Sequence, residues 1–187
     1  GQTYGVDVAL PDKLEKDESK MSIWIYYADG RNRDGVGDRL EVGGIRTERH
    51  QKNPVVLFDH AKTVSLPIAL SEDRDTKEYT NVIDPINQIA KVNAFFYQGK
   101  GLNGVERGKE FDHAVFCEQL YHMMCGGLIR GGSIGYSVVK AMNLQPDYER
   151  GTPPGLHLLV TLMLEASAVV MPANGDTVRK MLAMPQV

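Results

Sequence analysis

Apolar and polar residues alternate in short runs along most of this chain, and a helical period holds over only one long stretch. Ile23–Ala28 (IWIYYA) is β-branched and aromatic and predicts a strand. Gly43–Ile45 and Pro54–Phe58 (PVVLF) read as the next extended segments, and Gln88–Tyr97 (QIAKVNAFFY) alternates as a strand does. Ser133–Lys140 and Leu156–Val170 predict two more strands, separated by a Pro/Gly-bearing loop over Leu144–Gly155. The helical stretch is Lys109–Cys125. Phe111, Val115, Leu120, Tyr121 and Met124 recur at its spacing, and Gly126-Gly127 closes it.

Between these elements lie a turn-rich loop, Asp29–Asp38 (DGRNRDGVGD), and a charged connector, Ser71–Tyr79. Gln98–Lys109 carries four glycines and predicts a flexible loop, either a tolerated surface insertion or a flap over an extended substrate. Thr177–Met184 fits a short final helix, and residues 1–20 read as a mobile lead-in. The expected architecture is α+β and strand-dominated, a strongly curved sheet or small β-barrel with peripheral helices.

Length changes this picture little: 187 residues suit a single domain over 1–187. The net charge of −3 gives no basic field for nucleic acid. The densest apolar run, Leu156–Ala173, is interrupted by Thr161, Glu165 and Ser167, so no membrane span is expected. Two cysteines make no disulfide framework. Cys117 and Cys125, eight residues apart on the predicted helix, would sit about 12 Å from each other, too far to bridge.

Candidate chemistry concentrates at three places. Gly131-Gly132-Ser133-Ile134-Gly135 fits the string G-x-S-x-G, but a helix precedes the serine and a strand follows it. That is the reverse of the strand–turn–helix context of an α/β-hydrolase elbow. What remains is a serine at a strand entrance, flanked by glycines that admit a substrate backbone. His60 ends the apolar segment NPVVLFDH and could serve as a general base. Asp59 beside it points the other way on a strand. Glu165 lies in LLVTLMLEASAVVM, where a buried carboxylate must find a partner or become neutral. His157 has the same strand parity as Glu165, about 26 Å away, and competes with it for a role beside Ser133. Gly30–Glu41 resembles an EF-hand loop but starts with Gly and carries Arg31, Arg33 and Arg39, which oppose a cation. No Cys/His spacing fits zinc, and His50, His113 and His122 share no ligand geometry.

The ordered set His60, Ser133 and Glu165 resembles the prohead serine proteases of tailed bacteriophages, relatives of herpesvirus assemblin. DGVGDRLEVGGIRTERHQKNPVVLFDH looks like the acidic turn leading to that family's histidine strand. Phe111–Gly127 looks like the helix before the nucleophile, GGSIGYSVV like the nucleophile strand, and LEASAVVMPAN like the closing strand and turn. The stretch after His60 departs from the pattern, with Pro67-Ile68-Ala69 in place of a Pro-x-Gly turn.

The resemblance implies a serine endopeptidase with Ser133 as nucleophile, His60 as base, and Glu165, or alternatively His157, as third member. Ala173 and Asn174 would stand in the oxyanion turn. It implies hydrolysis without cofactor or metal. The expected targets are scaffold, the N-terminal region of the major capsid protein, and the protease itself. The expected place is inside the immature capsid in the host cytoplasm, with self-association left open and with neither nucleic acid nor membrane as partner. The rival reading is a shell- or scaffold-binding domain on the same fold with its triad unused.

Overall fold

The computed structural model describes residues 15–61, 66–99 and 112–172. Its strands are β1 (Lys16–Asp17), β2 (Ser22–Asp29), β3 (Arg39–Leu40), β4 (Ile45–Arg46), β5 (Val55–Phe58), β6 (Ala69–Leu70), β7 (Asn81–Asp84), β8 (Ile89–Phe96), β9 (Gly131–Leu144) and β10 (Gly155–Val169). Its α-helices are α1 (Glu48–Lys52) and α2 (Asp112–Cys125), and a 3₁₀ turn covers Val42–Gly44, so of the extended segment expected over Gly43–Ile45 only Ile45 is strand. All these strands belong to one sheet, running β1-β2-β8-β6-β5-β10-β3, with β4 and β9 also on β10 and β7 also on β8. The fold is the expected strand-dominated α+β type, a curled open sheet forming a half-barrel.

β10 organises the sheet. It pairs antiparallel with β9 along its whole length and parallel, successively, with β3, β4 and β5. β2 and β8 form a second antiparallel pair. In β8, Ala90, Val92, Ala94 and Phe96 are fully buried at alternate positions, so the period of two read from the sequence is the core face. β2 lies close over β9. A side chain on Gly132 would collide with the Tyr26 carbonyl oxygen, so glycine is what permits this approach.

Several elements differ from expectation. The lead-in is not mobile throughout: β1 pairs with β2, and Lys20 Nζ binds Asp73 at 2.6 Å. Asp17 folds the turn by accepting from the Ser19 amide at 2.9 Å. A charged composition hid this short hairpin, because local side-chain bonds rather than apolar pattern close it. Residues 1–14 lie outside the described residues. β7 lies where no strand was expected. It pairs with β8 around a turn whose Asp84 accepts from the Ile86 and Asn87 amides. β9 extends to Leu144, well past Lys140.

On α2 the buried face is Cys117, Leu120, Tyr121 and Met124, whereas Val115 is 48% exposed. Burial also pushes the Cys117 thiol up to about 11. Gly127 ends the helix at φ 71°, and the Leu128 amide bonds to Met123 O at 2.8 Å. Phe111, all but Gln98 and Gly99 of the glycine-rich loop, and the helix expected over Thr177–Met184 lie outside the described residues.

Phe96 is fully buried with its ring 5.6 Å from that of Tyr121. Phe96→Ala should therefore cost about 3–5 kcal/mol. Val138→Ala on the half-exposed part of β9 should stay within about 0.5 kcal/mol. Urea midpoints of the two variants test the contrast.

Candidate active site

Ser133 enters the structure near the start of β9, directly opposite Ser167 of β10, and Gly135 stands opposite Glu165. Residues directly opposed in an antiparallel pair project from the same face. Ser133, Gly135, Glu165 and Ser167 therefore share one face of this hairpin. Glu165 is 3% exposed and Ser167 fully buried.

Glu165 reaches that face through a β-bulge. Between Met163 and Glu165 the register slips by one, so Leu164 is an extra residue on β10. Met163 belongs to the hydrophobic core, and after the slip so do Ala166 and Ala168. The core parity thus changes from odd to even, and Glu165 and Ser167 come out on the other side.

His60 is delivered by β5. Leu57 and Phe58 pair with Ser167 and Ala168, and the chain then turns sharply. Asp59 and His60 have φ of 49° and 55°, a left-handed pair rare outside glycine. Asp59 braces the turn: its amide bonds to Ala168 O at 2.9 Å, and its carboxylate accepts from the Val170 amide at 3.1 Å. The turn brings His60 Nδ1 to 2.6 Å from Glu165 Oε1, while the ring stays 38% exposed.

The second carboxylate oxygen, Oε2, accepts from the Ser167 hydroxyl at 2.6 Å. A carboxylate oxygen accepts, so His60 Nδ1–H donates to Oε1 and Nε2 is left for another partner. Ser133 Oγ makes no hydrogen bond among the described residues. Bonds to a nucleophile often form only once substrate is bound.

Ser133 also borders a cavity of about 260 Å³, with Tyr27, Asp29, Asp34, Asp38, Gly132 and Tyr136 among its walls. Burial raises the Asp34 carboxyl, against the backbone amides of Asp38 and Val36 that bond to it and pull it down. Burial likewise raises Tyr136. A separate apolar hollow of about 290 Å³, bounded by Pro67, Leu70, Phe95, Tyr97 and His113, shares no wall residue with it.

Of the residues singled out from the sequence, His60 and Glu165 meet, and Ser133 stands on their face. His157 is elsewhere: its Nε2 lies 3.3 Å from Glu41 Oε2, near the start of β10. Shared parity does not bring His157 to Glu165: His157 stands opposite Met142 near the start of β10, and Glu165 stands opposite Gly135 far along it. Ala173 and Asn174 lie outside the described residues.

Sequence reasoning missed Ser167, although its i+2 spacing from Glu165 signals a common strand face. It also passed over His50 as part of a charged run. His50 is fully buried on α1, with Nε2–H donating to Val55 O at 3.1 Å and Nδ1 facing the Tyr79 hydroxyl at 2.7 Å. The network continues: Asn81 Nδ2 donates to Tyr79 Oη at 2.8 Å, and the Tyr27 hydroxyl donates to Asn81 Oδ1 at 2.9 Å.

Compared with known proteins, the chain matches no family model, no curated protein and no solved structure.

Burial lowers the affinity of His50 for a proton below that of an exposed histidine. The unfolded chain therefore binds more protons there, and stability falls as pH drops below about 6.5. Urea midpoints between pH 7.5 and 5 should show this loss, and His50→Gln should flatten it.

Proposed function

We propose that this chain is a serine endopeptidase of the prohead-protease type, acting by acyl transfer. One observation carries the reading. A buried carboxylate holds an accessible histidine by its Nδ1 proton, on the strand face that also bears Ser133. Each group then has a role. Ser133 Oγ attacks a peptide carbonyl, and His60 Nε2 takes its proton and later gives it to the leaving amine. Glu165 fixes the imidazole tautomer and stabilises the imidazolium as it forms. Water then enters where the amine left, and the same base activates it to release the acyl group from Ser133.

Support also comes from how the groups are held. Two successive left-handed residues in a short turn cost energy, and such geometry concentrates where function requires it. The serine sits beside a cavity open enough for a side chain of the substrate. The order of motifs along the chain favours scaffold and capsid-protein segments as targets, within an immature phage capsid.

A second reading, a shell- or scaffold-binding domain without activity, draws on a different feature. Val138, Val139 and Met142 on the far half of β9 are 50%, 56% and 52% exposed, an apolar edge suited to a protein partner.

A fluorophosphonate probe separates the two. The endopeptidase should be labelled at Ser133 and lose both labelling and scaffold cleavage in Ser133→Ala, with folding intact. Absence of labelling in the unaltered protein favours the binding domain. Within the enzyme reading, Glu165→Gln should lower turnover by about 10²–10⁴-fold. His157→Gln should cost far less, and the reverse ranking would move the third role to His157.

A further inference from the structure

We infer that Ser167 is a positioning residue for Glu165, acting together with the absent side chain of Gly135. The inference rests on the proposed Ser133–His60–Glu165 reading. A glutamate carboxylate turns freely about its terminal bond, where rotamer preferences are broad. A single bond to His60 would leave its plane loose. Here both oxygens are committed: Oε1 to His60 Nδ1 and Oε2 to Ser167 Oγ, each at 2.6 Å.

Ser167 is two residues beyond Glu165 on the same strand face, so its hydroxyl approaches from one side along β10. Gly135 faces Glu165 across the ladder from β9. A Cβ there would collide with Glu165 Oε1 and crowd its Cδ. The glycine is therefore the space that the carboxylate occupies, and the serine is the donor that keeps it there. Ser167 is fully buried, so water has no access to replace its hydroxyl. The same burial denies Ser167 any role as a nucleophile of its own. Charge-assisted bonds of this kind are short and strong, and two of them fix the plane of the carboxylate that faces Nδ1–H.

The test uses Ser167→Ala, Ser167→Thr and Gly135→Ala in the full chain. Hydrolysis of a p-nitrophenyl ester gives kcat and KM, and the proton resonance of His60 Nδ1–H reports the contact directly. Ser167→Ala should stay folded by circular dichroism, keep its KM, and lose about 10–100-fold in kcat, the worth of one bond to a charged group. Its Nδ1 proton signal should move or broaden. Threonine, which keeps the hydroxyl and suits a strand, should restore much of the rate and the signal.

Gly135→Ala should displace the carboxylate and disturb the signal with Ser167 intact. A Ser167→Ala protein with unaltered kcat and an unaltered Nδ1 resonance would overturn the inference. A folded threonine variant no better than alanine would do the same. Failure of the underlying reading looks different: Ser133→Ala would keep its ester hydrolysis, while the resonance would still judge whether Ser167 holds Glu165 against His60.

Discussion

A carboxylate taken out of water must be met by donors, and Glu165 is where this protein faces that demand. The group is 3% exposed in the middle of the closing strand. Leaving it unpaired would cost several kcal/mol or force it neutral. Two partners resolve the cost, His60 from the end of β5 and Ser167 from β10 itself. Much of the local architecture follows. β5 must lie beside β10 in parallel, its last turn must go left-handed, and the facing strand must offer a glycine.

The β-bulge at Leu164 is the smallest device with the largest consequence. One extra residue reverses which side chains of β10 meet the core. Without it, the alternation that buries Met163 would also carry Glu165 into apolar packing. With it, the small residues Ala166 and Ala168 take the core side, and Glu165 and Ser167 take the other. The bulge thus lets one stretch of strand keep small residues on the core side and a polar pair on the other.

A second buried polar group, the His50–Tyr79–Asn81–Tyr27 network, binds neighbouring parts of the same region. His50 holds Val55 O at the start of β5, and Asn81 Nδ2 lies 3.4 Å from Met163 Sδ, just before the bulge. The network therefore touches both strands that bring His60 and Glu165 together. Its members are satisfied in sequence by complementary donors and acceptors, the condition under which buried polarity rigidifies a structure.

What the sequence by itself determined was local. Strand character in β2, β5, β8, β9 and β10 and the helix ending at Cys125 were legible because side-chain period and closing glycines act within a few residues. The special status of Glu165 was legible too, since a lone carboxylate among apolar neighbours is conspicuous in any fold. Tertiary structure decided the rest. Parity along β10 offered His157 as a rival to Glu165, and the strand pairing holds it at the start of β10 beside Glu41 instead. His50 looked like part of a charged surface run and is fully buried. Ser167 acquires its meaning only through the pairing of β9 with β10. These features depend on which strands become neighbours and where the ladder slips. Contacts between residues as distant as His60 and Glu165 leave no periodic trace in the chain that makes them.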